Sequence, residues 1–283
     1  MSILHIKPKS ECRLDLVSLG EVLLRFDSGT ERIHNARSFR VRDGGGEYNV
    51  AVNLSRVFQE KTAIVTALAD NALGRLAEDF IKQSGVDDSQ IVWRSDIDQT
   101  RNGIYFMEQG FGLRAPNSCF DRSHTATSQI QPGDVDWRNI FVTENSPAWF
   151  HTGGVFTGLS RTTPETALEA MKAANESGII VSYDLNYRDS LWKNRGGKAE
   201  ANNINRRLLP YTDVVFGIFD FETKYNNFDA EEFRLAAERL QKEFPNLKII
   251  ATTLREVISA SEHNLSAACF ADGEIYKARA YKN

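Results

Sequence analysis

Alternation dominates this sequence. Apolar, β-rich runs at residues 14–19, 63–68, 148–151, 179–184, 213–216 and 247–251 are separated by segments with helical spacing. Leu73, Leu76, Ala77, Phe80 and Ile81 recur one or two turns apart on one helix face, and Gly85 closes that helix. Val50, Leu54, Val57 and Phe58 make a second apolar stripe. Thr163-Pro164-Glu165 reads as a helix start, with Pro in the first turn and an acid set against the macrodipole. That helix is expected to run to Gly178, with others at 199–209 and 230–244. Parallel strands need long crossover connections, and helices supply them. The rhythm predicts an α/β fold, a mostly parallel sheet with helices on both faces.

Two regions break the rhythm, 22–42 and 102–122. Their strand-like pieces, such as 38–41 and 103–106, have no helix between them and read as antiparallel ribbons. They predict a small β-sheet lid inserted into a single domain spanning 14–283. Composition agrees with one such domain: 283 residues with 41% hydrophobic content exclude intrinsic disorder. A formal net charge of −4 advertises no basic face, so no nucleic-acid partner is expected. No apolar run reaches the roughly 18 residues of a membrane span. The opening MSILHIKPKSECR lacks the apolar centre of a signal peptide. Cys12, Cys119 and Cys269 are widely spaced and include no CxxC, which suggests free thiols in a reducing compartment. A cytoplasmic protein with no membrane partner is the expectation.

Several common chemistries are missing. There is no GxxxxGK[ST], HExxH or GxSxG. The histidines His5, His34, His124, His151 and His263 lack metal-ligand spacing, so no metal ligand is assigned. Gly110-Phe111-Gly112-Leu113-Arg114-Ala115 matches GxGxx[GA] formally but opens no helix, so it reads as a plain turn.

Three motifs carry chemistry. The first is DGGGEYNVA at 43–51, a triple glycine leading into a helix. Glycine lets a ligand approach the backbone, and a helix N-terminus presents unpaired N–H donors. Asn49 in the first turn can both donate and accept, which suits a polyhydroxylated ligand. A tight loop with a capped helix is the plainer alternative. The second is SYDLNYR at 182–188, at the C-terminal end of a buried strand, where α/β sheets bind ligands. Arg188 can pair with a phosphate or carboxylate in forked geometry. A loop held by an internal Asp184–Arg188 pair is the alternative. The third is GIYF at 103–106 with CFDR at 119–122, where Tyr105 and Arg122 could close over a ligand. An edge sheet with one covered face is the alternative.

Together these residues resemble the ribokinase-like, PfkB-type carbohydrate kinases, over nearly the whole chain. GGGEYNVAVNLSRVF is similar to that family's first signature and DLNYR to its D-x-N-x-R strand end. GEVLLRF, GGGEYN, GIYF, FDR, HTGG and DLNYRDSLW most resemble the 2-keto-3-deoxygluconate kinases. The resemblance implies a parallel-sheet body with a β lid shared across a homodimer. It implies ATP and Mg²⁺, and transfer of the γ-phosphoryl to a primary hydroxyl of a sugar acid. By position, Gly45 and Asn49 would hold the sugar, with Tyr105 and Arg122 reaching in from the lid. Arg188 would meet substrate and a phosphate, Asn186 would face the nucleotide, and ATP would lie near Thr253. Phe120 stands where the family often carries Tyr, which removes one expected hydroxyl contact.

The sequence departs from the family in three places. The N-x-x-E motif expected after the strand at 213–216 is absent; Gly217 is followed by Ile218-Phe219-Asp220-Phe221, and neither Asp220 nor Glu222 is in register to replace it. The Gly-containing nucleotide loop reads Thr252-Thr253-Leu254-Arg255-Glu256-Val257. The catalytic G-x-G-D, whose Asp is the family's general base, would lie beyond Asn283, so no catalytic residue is assigned. Asp184 is the nearest substitute by chemistry. The expectation is an ATP-dependent kinase for 2-keto-3-deoxygluconate, C-terminally incomplete. The rivals are a fructokinase- or ribokinase-type enzyme and a catalytically inactive sugar-binding protein.

Overall fold

A computed structural model describes residues 3–96, 99–142, 146–222 and 225–282. The strands β1 (Leu14–Leu19), β2 (Leu23–Asp27) and β3 (Arg40–Gly44) lead into helix α1 (Gly46–Phe58). β4 (Thr62–Ala69), α2 (Ala72–Gln83), β5 (Val86–Asp87), β6 (Ile91–Arg94), β7 (Ile104–Glu108) and β8 (Asn117–Asp121) follow. Then come α3 (Trp137–Phe141), β9 (Pro147–Gly153), α4 (Gly154–Thr157), α5 (Thr163–Glu176), β10 (Ile180–Asp184), α6 (Asp189–Trp192) and α7 (Gly197–Leu208). The chain continues through β11 (Val214–Phe216), α8 (Ala230–Glu243), β12 (Ile249–Val257), β13 (His263–Ala271) and β14 (Glu274–Lys277).

The main sheet runs in the order β14-β13-β12-β11-β10-β9-β1-β4-β5, with β6 also on β4. It is parallel from β5 to β12 and antiparallel beyond. Strand order reverses between β1, which continues to β4, and β9, which continues to β10. That reversal opens a crevice at the C-terminal strand ends.

Alternation along each strand separates the two faces. Val17, Leu19, Phe150, Val181, Tyr183, Val215 and Ile250 point to one face and are fully buried. They pack with Ala170 and Met171 of α5, Ile204 and Leu208 of α7 and Phe233 and Leu240 of α8. Each large side chain so buried contributes roughly 1.5–3 kcal/mol. On the other face Leu16, Ile64 and Leu68 pack with Tyr48 and Ala51 of α1 and Ala77 and Ile81 of α2. Farther along this second face, Trp149, His151, Ser182, Asp184 and Phe216 line an open groove of about 700 Å³.

Three expectations change. The stripe on α1 is displaced: Val57 and Phe58 are each 65% exposed, while Tyr48 and Ala51 are buried. Tyr48 hides its polar tip by donating from Oη to Asp43 Oδ2 at 2.8 Å, so its ring packs as an apolar side chain would. The two ribbons are each antiparallel, but a parallel β2–β7 pair joins them into one four-stranded sheet, β3-β2-β7-β8. Residues 252–257, expected as a loop, form strand, because every one of them pairs with β13. The turn reading of 110–115 agrees with the mutual backbone hydrogen bonds of Phe111 and Arg114.

Candidate active site

The crevice between β1 and β9 gathers the polar residues of five separate segments. Gly20 and Glu21 follow β1, and the glycine turn Gly44-Gly45-Gly46 starts α1 beside them. A Cβ on Gly45 would lie 2.1 Å from the backbone oxygen of Glu21, so only glycine fits against that strand end. Gly154, at the start of α4, is equally tight, 2.1 Å from the backbone oxygen of Leu185. These contacts lock the ends of β1, β9 and β10 together beneath the lid.

Two buried glutamates form the floor. Glu21 Oε1 accepts from Thr125 Oγ1 at 2.5 Å, and Arg122 Nη2 lies 2.7 Å from Glu21 Oε2. The Arg122 contact is an ion pair by distance without hydrogen-bond alignment, and both its Nε and Nη2 are buried with no hydrogen-bond partner. Burial pushes the Glu21 carboxyl up, and the neighbouring Arg122 and Thr125 pull it back. Glu47, from the glycine motif, accepts the Phe156 N–H at 3.0 Å through Oε1. Its Oε2 is buried without a partner. Burial raises Glu47 to about 7, its own and the Phe156 N–H oppose this, and nearby Asp184 adds to the rise.

The second motif supplies the opposite wall. Asp184 accepts the Asn186 N–H at 3.1 Å, which turns the chain sharply and leaves Asn186 at a φ of 27°. Burial pushes the Asp184 carboxyl up to about 6, against the Asn186 N–H and the charge of Arg188. Among the described residues no Asp184–Arg188 ion pair forms, so the loop is held by this backbone contact instead. Arg188 is exposed, close enough to Asp184 for its charge to be felt there. Asn49 and Asp184 both line the groove on the second sheet face.

The lid closes the remaining side. Tyr105 Oη lies 2.8 Å from where a Gly44 Cβ would be, so its hydroxyl rests on the glycine turn. Its ring stacks on Phe120 at 5.2 Å, and the Arg122 guanidinium lies 5.7 Å from the Phe120 ring. Gly45, Tyr105 and Arg122 thus meet around Glu21 and the glycine turn, Asn186 and Arg188 lie in the loop that follows Asp184, and Asn49 lines the sheet-face groove instead. Thr253 stands apart, two strands from Asp184 on β12. Asp220 pairs with Lys198 at 3.3 Å, away from a phosphate-organising role. In the sequence Glu21 is marked only by the Gly-Glu pair directly after a buried strand and Glu47 only by its place in the glycine motif, while nothing marks Thr125.

No group of three or more His, Cys, Asp or Glu side chains suited to a metal occurs among the described residues. Mg²⁺ in phosphoryl chemistry is held largely by phosphates and one or two carboxylates, so this is compatible with a nucleotide-borne ion. No helix among the described residues is long and apolar enough to cross a membrane.

Comparison with known proteins agrees with this fold. The profile described as pfkB family carbohydrate kinase matches residues 13–252. The chain is 34% identical over 202 residues to a 2-dehydro-3-deoxygalactonokinase of Haloferax volcanii, covering 71% of this chain and 59% of that protein. The matched stretch therefore spans under two thirds of that relative. A solved 2-dehydro-3-deoxygluconokinase of Thermotoga maritima superposes with a TM-score of 0.83 at 31% identity, covering 95% of this chain and 81% of the other. A PfkB family carbohydrate kinase of Listeria grayi gives a TM-score of 0.80 at 27% identity, with 94% and 79% covered. From its fold, its glycine turn and this profile match, the chain belongs to the pfkB family of carbohydrate kinases.

Proposed function

We propose that this chain is the body and lid of an ATP-dependent sugar-acid kinase acting on a 2-keto-3-deoxy acid such as 2-keto-3-deoxygluconate. The observation that carries this reading is Arg122. It is a lid-borne guanidinium at the crevice floor with two buried N–H groups that have no aligned partner. A substrate carboxylate would satisfy them, and charge-assisted hydrogen bonds of this kind are about twice as strong as neutral ones. The names of the Haloferax and Thermotoga relatives point to the same substrate class. In this reading Gly45 and Asn49 hold the sugar, Tyr105 covers it, and Arg188 meets a phosphate at the mouth. Asn186 faces the nucleotide and Mg²⁺ travels with it. Phosphoryl transfer depends mainly on such positioning and charge stabilisation.

In this reading the chain also assembles through the other face of the lid. Phe26, Phe39 and Phe106 cluster there with ring centroids 5.3–6.4 Å apart and are only half buried. A homodimer through the lid is part of this proposal, and sedimentation velocity tests it. A panel of keto-deoxy acids and neutral sugars in an ADP-release assay tests the substrate. Turnover of the acids supports it. Turnover of fructose or ribose alone, or sugar binding without ADP release, replaces it with the corresponding alternative.

A further inference from the structure

A second cluster of arginines lies on the same lid face as Tyr105 and Phe120, displaced along β2 and β3 away from the glycine turn. In the β2–β3 ladder Arg25 stands directly opposite Arg42, and Asp27 opposite Arg40. Paired residues project from the same face of a sheet, so this row continues across β7 and β8 to Tyr105 and Phe120. Like charges directly opposite each other destabilise a ladder, so their pairing here calls for a compensating anion. The three guanidiniums, with Ser28, Ser38 and Gln109, line a cavity of about 390 Å³.

Asp27 does not neutralise this cavity. Its carboxylate is largely buried and already accepts from Arg25 Nη2 at 2.8 Å, from the Gly29 N–H at 2.8 Å and from Gln109 Nε2 at 3.2 Å. It offsets Arg25 and leaves Arg40 and Arg42 without an ion-pair partner among the described residues. Arg25 Nε is in addition buried with no hydrogen-bond partner. Two uncompensated positive charges, forked donors and serine hydroxyls match a dianion rich in acceptor oxygens.

We propose that this lid cavity is a second anion site, beside the crevice and separate from Arg188, that takes a phosphate group, either free or as a monoester. Arg40 and Arg42 would grip the terminal oxygens, with Arg25 held in place by Asp27. Because Arg25 also rests against the Tyr105 phenol, occupancy would bear on the lid's position over the crevice.

Isothermal titration with inorganic phosphate and with methyl phosphate, a monoester that carries no sugar, at constant ionic strength set by chloride, tests this. Arg40 and Arg42 are exposed, so the Arg40→Ala/Arg42→Ala double variant is expected to fold, which circular dichroism checks. Removing both guanidiniums should weaken phosphate binding by about a hundredfold, roughly tenfold for each charge-assisted hydrogen bond taken away. Arg188→Ala should leave this binding event in place. A monoester binding tighter than inorganic phosphate would identify an esterified ligand, and equal affinities would identify the free ion; both support the site. Undiminished binding in the double variant, or loss in Arg188→Ala alone, would place the phosphate in the crevice and overturn the proposal.

Discussion

Glu47 shows how a single residue couples the site to stability. Its carboxyl is held at about 7 in the fold against 4.5 normally. The folded chain therefore binds more protons than the unfolded chain between these values. The associated stability is fully present below pH 4.5 and is lost as pH rises through 7, about 3 kcal/mol in all. Asp184, raised to about 6, acts in the same direction. His151, lowered to about 4 by burial, acts in the opposite direction between pH 4 and 6.5. The clean readout is thus the difference between wild type and Glu47→Gln in denaturant melts from pH 4 to 8. The variant should lose relative stability at the acid end and recover it by pH 8. A constant difference would show that Glu47 does not titrate in this window. Gly45→Ala should be felt at once, because its Cβ has 2.1 Å where contact distance is needed. A loss of about 1–3 kcal/mol in thermal or urea unfolding is expected, as for other overpacked sites. Arg122→Ala should raise KM for keto-deoxy acids more than for any neutral sugar that turns over. Equal losses on both would remove its carboxylate role.

At the scale of elements, caps and stacks set the geometry that the crevice needs. Helix α2 starts at Asn71, whose Oδ1 accepts the N–H groups of Leu73 and Gly74, each at 3.0 Å. The same oxygen accepts from Asn102 Nδ2 at 3.0 Å, which ties the helix start to the segment entering β7. Asn71→Ala should therefore cost more than the ~1 kcal/mol of an isolated cap, and a drop in Tm measured by calorimetry checks it. In the lid, Tyr105 and Phe120 act as one stacked pair. Tyr105→Phe keeps the stack and removes only the hydroxyl on the glycine turn. It should raise KM with little change in Tm, whereas Tyr105→Ala should alter both. The lid itself was legible from the missing helices in 22–42 and 102–122, but its strand order was not. Parallel pairing of β2 with β7 joins residues about eighty positions apart, and no local spacing encodes that.

At the scale of the whole molecule, the two sheet faces differ. One is sealed by α5, α7 and α8, while the other opens over β9 to β11 into a groove with Trp149 half buried and Phe216 37% exposed. The sequence alone determined the succession of strands and helices, the glycine turn and the polar strand end of β10. Each of these is written in spacings of a few residues, and local backbone geometry reads them directly. Tertiary structure alone decided that Glu21, Glu47, Thr125 and Arg122 share one buried floor, that Val57 and Phe58 face outward, and that Arg25 faces Arg42. Those relations depend on which strand ends meet at the β1–β9 reversal and on the register of the lid. Both are settled by burial and packing between segments up to about a hundred residues apart, where periodicity carries no information.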